Sequence, residues 1–126
     1  MILKFINNVI LLKFMFLIFA IPLFAINPKA NNMAKAFVEN TSEYTSNSEV
    51  KTHTYYKDNY VFTDRQELTM TEQNLLNEKN GYINRFHNVY CPVLKPIMNY
   101  DVVFKINVFD YLNNYVFNFY LDCKKY

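Results

Sequence analysis

The sequence predicts an α+β domain: a small, dominantly antiparallel sheet with a C-terminal β-hairpin, one or two short helices and one disulfide. Three observations carry that expectation. Residues 101–123 alternate between apolar and polar side chains with a period of two, as a half-buried strand pair requires. Residues 50–62 hold a second strand-rich pair around Lys57-Asp58-Asn59. The chain has two cysteines, Cys91 and Cys123, downstream of a segment that directs it to an oxidising compartment.

That segment comes first. Met1 to Lys13 carries Lys4 and Lys13 and no acid, and Phe14 to Ile26 is an unbroken apolar run with Pro22 and Ala25 near its end. A basic start, a short apolar centre and a small residue at the cut make residues 1–25 a secretory signal peptide. Cleavage is expected near Ala25, with Ala30 and Ala36 as alternatives. The competing reading is a retained anchor, but Lys13 interrupts the stretch Val9 to Ile26, and a spanning helix needs roughly 20 apolar residues. A membrane is therefore a partner only if the segment stays on the chain.

Cleavage leaves about 100 residues, enough for one small domain. Of 13 Lys and Arg, removing Lys4 and Lys13 leaves 11, against 11 Asp and Glu. A formally neutral chain lacks the basic field that nucleic acid or an anionic membrane would need. Phe (12) and Tyr (11) are abundant while Gly (1) and Trp (0) are scarce. The codons of an AT-rich genome produce this same bias, so aromatic content alone marks no binding surface.

Residues 26–48 read as a flexible polar leader with at most a short helical turn at Met33–Val38. Asn40-Thr41-Ser42 within it is an N-glycosylation acceptor pattern, with Asn40 as the modified residue. Residues 49–126 form the single disulfide-linked domain. Its first hairpin pairs "VKTHTYY" with "YVFT" across a turn in which Asp58 and Asn59 tolerate left-handed backbone.

Thr63 and Gln66 have capping-box spacing, and Leu68, Leu75 and Leu76 share a helical face. A helix is expected over residues 70–79, stopped by Asn80-Gly81, and the residues before it read as either helix or strand. Ile83, Phe86, Val89 and Tyr90 fit a helix face or a strand. Pro92 and Pro96 should then bracket a loop.

In the last hairpin Val102, Phe104, Ile106 and Val108 share one face, as do Tyr115, Phe117, Phe119, Leu121 and Cys123. Asn113-Asn114 takes the place of glycine in a tight turn that needs positive φ. A two-residue turn there sets Val108 opposite Phe119, Ile106 opposite Leu121 and Phe104 opposite Cys123. It also leaves Asp110 on the apolar side, an objection that a longer loop starting at Asp110 removes. Cys91 and Cys123 are expected to pair, closing a loop worth about 3–4 kcal/mol on the chain-entropy account.

No catalytic constellation is present: there is no glycine-rich phosphate loop, no G-x-S-x-G, no H-E-x-x-H and no C-x-x-C. His87 and Cys91 have a spacing that could hold two metal ligands on a helix, but a zinc site needs four. The expectation is a small secreted, non-enzymatic protein without cofactor or metal, acting on a protein partner as an effector or binding module. Tyr55, Tyr56 and Tyr60 of the first hairpin and Tyr111 and Tyr115 of the last are the expected contacts, since Tyr is favoured at interfaces. The alternative is an extracellular carrier of a small apolar ligand or lipid.

Overall fold

The computed structural model describes residues 28–125. The expected signal segment and the cleavage expected near Ala25 lie outside the described residues. Helix α1 (Pro28–Asn40) leads to strands β1 (Tyr44–Ser46), β2 (Val50–Lys57) and β3 (Tyr60–Glu67). Helices α2 (Glu72–Asn77) and α3 (Lys79–Met98) follow, and strands β4 (Val103–Phe109) and β5 (Tyr115–Tyr120) end the domain. The class is α+β, with one five-stranded sheet in the order β1-β2-β3-β4-β5.

The sheet is mixed rather than antiparallel. β2 and β3 form the expected hairpin, closed by Asp58-Asn59 with Asp58 at φ 55°, and β4 and β5 form the C-terminal one. Between them, β3 and β4 run parallel, from Tyr60 opposite Val103 to Gln66 opposite Phe109. The cause is α3: it carries the chain back to the end where β3 started, and parallel neighbours require such a crossover. With α1 there are three helices among the described residues, and α3 is 20 residues long.

Each helix buries a side against the same face of the sheet. The leader expected at residues 26–48 is mostly α1 and β1. Ala30, Ala34 and Val38, spaced by one turn, are buried, and Phe37 packs edge-on against Phe104 at 5.2 Å. Across the sheet, Tyr82 and Phe86 of α3 meet Phe117 and Phe119 edge-on. Leu75 of α2 joins the same buried cluster. Phe104 is among the fully buried side chains, and its truncation to Ala would cost about 3–5 kcal/mol.

Three local expectations are overturned. Helix α3 runs through Pro92 and Pro96. Both prolines sit on its exposed side, as does Asn88, so the carbonyls that lose an N–H partner face solvent while Cys91 and Leu94 anchor the opposite side. The helix break falls at Glu78 and not after Gly81, which takes no positive φ and lies in the first turn of α3. Thr71, not Thr63, is the cap: its hydroxyl accepts from the Asn74 amide at 3.1 Å, and Thr63 and Gln66 belong to β3.

The last hairpin turns through Asp110–Asn114, the longer of the two loops considered. The Asp110 carboxylate accepts from the amides of Leu112 and Asn114, each at 2.9 Å, and only Asn113 adopts the left-handed region, at φ 65°. Ile106 therefore faces Phe119 and Val108 faces Phe117, two residues from the tight-turn register, so the same side chains stay inside. A bulge between Val108 and Phe109 turns Tyr115 outward.

Candidate interaction surface

The second face of the sheet carries no buried residue, whereas β4 alternates half-buried and buried along its whole length. Strand pairing arranges this open face in cross-strand rows. One row runs Tyr55, Phe62, Lys105, Tyr120, and the next runs Tyr44, His53, Asp64, Asn107, Asn118. Outside these, Tyr60 lies beside Val103, and Lys51, Gln66 and Phe109 align toward the Asp110 loop.

The β1–β3 side of this face is a continuous aromatic chain. Tyr44 stacks on His53 at 4.4 Å, His53 meets Tyr55 at 5.0 Å, Tyr55 stacks on Phe62 at 5.3 Å and Phe62 on Tyr60 at 5.9 Å. Asp64 fixes its centre, accepting from the Asn107 side chain at 2.9 Å and the Tyr55 hydroxyl at 3.3 Å. Burial first, and then the Asp64 charge, holds the Tyr55 phenol above its ordinary value. On the far side Lys105 lies over the Tyr120 ring at 5.4 Å.

The structure brings only some of the expected contact residues together. Tyr55 and Tyr60 join the aromatic chain. Tyr56 points to the opposite face, beside Glu39 and Glu43, by the alternation of β2. Tyr111 and Tyr115 are exposed at the far end of the strands, where Gln66 donates to the Tyr111 carbonyl at 3.1 Å. Sequence reasoning missed Tyr44, because β1 is three residues long and polar around it, and Tyr120, because its role depends on the register. It missed His53 as well, because nothing in its place between two threonines marks a contact.

Cys91 and Cys123 are bridged as expected, with Cα atoms 5.4 Å apart, so the Cys91 sulfur is not available beside His87 as a thiolate metal ligand in this state. The His87 ring is held on both sides, Nδ1 on the Ile83 carbonyl at 2.8 Å and Nε2 on the Asp122 amide at 3.0 Å. Asn40 is exposed at the end of α1, its side-chain amide donating to the Ala36 carbonyl at 2.8 Å.

A groove of about 510 Å³ opens on the helix-bearing face, between the end of α1, the middle of α3 and strands β1–β3. At its edge Arg65 donates through Nε to Glu67 at 2.7 Å and lies over the Phe86 ring at 5.6 Å. The Tyr82 hydroxyl donates to the same Glu67 oxygen. Burial works to lower the Arg65 guanidinium and the Glu67 hydrogen bond overrides it, leaving it above its ordinary value. Burial, reinforced by the Glu67 hydrogen bond, raises the Tyr82 phenol.

No protein-family model and no curated protein matches the chain by sequence. Among solved structures, a candidate secreted protein of Pseudomonas aeruginosa shares the fold, with a TM-score of 0.61 at 8% identity, over 74% of this chain and 88% of that one. A pilotin from the type 2 secretion system of Vibrio vulnificus aligns with a TM-score of 0.48 at 11% identity, over 75% of this chain and 84% of that one.

Proposed function

We propose that the chain is a small secreted, non-enzymatic binding protein that engages a protein partner through the open face of its sheet. The observation that carries this reading is the asymmetry of the two faces. Three helices cover one, and the other presents a stacked aromatic chain and a polar row with no buried residue. Tyrosines with an apolar ring and a polar tip suit a surface that is wet when free and dry when bound. The signal-like segment Met1–Ala25 and the Cys91–Cys123 bridge support delivery to an oxidising compartment.

The test is the double substitution Tyr60→Ser with Tyr120→Ser. Both side chains are exposed on the open face, so the fold should keep its stability to within about 1 kcal/mol. Partner capture from the fluid into which the protein is secreted should fall at least tenfold. Unchanged capture by the folded double variant would reject the surface.

The second reading, a carrier of a small apolar ligand, has the helix-side groove as its site, within the usual size range of ligand pockets. Phe37, Val50, Phe86, Leu94, Phe104 and Ile106 line it beside the threonines, so the groove is apolar on one side and hydroxylated on the other.

A further inference from the structure

Four threonines form the floor of the groove between α1, α3 and the sheet. The hydroxyls of Thr45 and Thr52 hydrogen-bond to each other across β1 and β2, and those of Thr54 and Thr63 approach at 3.5 Å across β2 and β3. Within the Thr45–Thr52 pair one hydroxyl proton is given to the neighbour, which leaves one donor and several lone pairs open, while the wider Thr54–Thr63 spacing leaves those hydroxyls only weakly paired. Phe86 and Tyr90, with rings 4.4 Å apart, stand over this floor as an aromatic wall. The Tyr90 hydroxyl has no hydrogen-bond partner among the described residues.

An alkyl chain laid here would pack on Phe37, Leu94 and Ile106 but would strip water from the threonine hydroxyls and return no hydrogen bond. Charge disfavours a fatty-acid carboxylate or a phosphate headgroup as well. The Arg65 guanidinium is neutralised by Glu67, and Glu49 adds a carboxylate at the rim, so among the described residues the groove carries no free positive charge. What suits it is uncharged, rich in hydroxyls, and apolar on one side. A pyranose ring answers that description: its hydroxyls match the threonine floor and the Glu49 carboxylate, and its C–H face packs on the electron-rich face of an aromatic ring.

We propose that this groove binds a neutral sugar residue of a glycan. The site is on the opposite face of the sheet from the proposed protein-binding surface and stands or falls separately from it.

The test is a ¹H–¹⁵N titration of the oxidised mature protein with glucose, galactose, mannose and N-acetylglucosamine in turn. At least one sugar should give saturable shifts centred on Thr52, Thr54, Thr63, Phe86 and Tyr90. Thr54→Val with Thr63→Val, which keeps shape and strand preference, should weaken that binding about fivefold or more per hydroxyl removed. Tyr90→Phe should weaken it while leaving the spectrum of the free protein folded. Tyr60→Ser, on the open face, should leave it unchanged. Three results would overturn the proposal: no saturable shift with any of the sugars, shifts that map to the open face, or palmitate perturbing these amides when the sugars do not.

Discussion

His87 takes the backbone N–H of Asp122 on Nε2 at 3.0 Å, one helical turn before the Cys91 that bridges to Cys123. Side chain and disulfide thus clamp the same two points, the middle of α3 and the segment leaving β5. Replacing both cysteines with Ser should lower the unfolding free energy by about 3–4 kcal/mol, read from urea denaturation of the oxidised and substituted chains. His87→Ala should cost about 1–3 kcal/mol by leaving the Asp122 amide without an acceptor. The two losses should not add, because both act on one strap.

Asp110 is buried, and its carboxylate organises the β4–β5 turn through two amides. Asp110→Ala should cost about 1–3 kcal/mol, since both amides lose their acceptor. Asn113→Ala should cost about 1–2 kcal/mol because its φ of 65° lies in the left-handed region, while Asn113→Gly should be tolerated. Chemical denaturation of the three variants checks the order.

The Tyr82 phenol is raised in the folded chain, so folding favours its protonated form. This stabilisation is complete below the ordinary phenol value, about 10, and is lost as pH rises above it, where the unfolded chain releases its proton first. Urea midpoints should stay level up to about pH 10 and then fall. Tyr82→Phe should make that fall shallower, with the raised Tyr55 phenol accounting for part of what remains.

If residues 1–25 are removed as a signal peptide, cleavage should leave the chain intact from Pro28 onward. Cutting after Ala30 or Ala36 would remove Ala30, or Ala30 and Ala34, from the buried side of α1. Mass spectrometry of the secreted protein should therefore find an N-terminus upstream of Pro28, and none at Asn31 or Phe37.

Much of the sheet was legible because strand alternation is local. The period-two pattern of Val102 to Val108 and of Phe117 to Cys123 named the buried face, and Asp58-Asn59 located a turn without any knowledge of the rest. The parallel β3–β4 pair was not legible, because it depends on α3 continuing through Pro92 and Pro96. Local rules read those residues as a loop, and only their place on the solvent side lets the helix pass. Only one turn of α1, at Met33–Val38, was legible, for a different reason: Ala30, Ala34 and Val38 do repeat at one turn, but two of the three are small. The open face followed the same division. Tyr55 and Tyr60 were visible in their strand, while Tyr44 and Tyr120 join them only through β1 and the bulged register of β5.

The central claim, that the open face of the sheet is where a partner binds, is tested most directly by site-specific photo-crosslinking. A photoreactive phenylalanine replaces Tyr60 in one chain and Val93, exposed on α3, in another. The account predicts a discrete crosslinked partner from position 60 and none from position 93. A partner captured from position 93 and not from position 60 would contradict it.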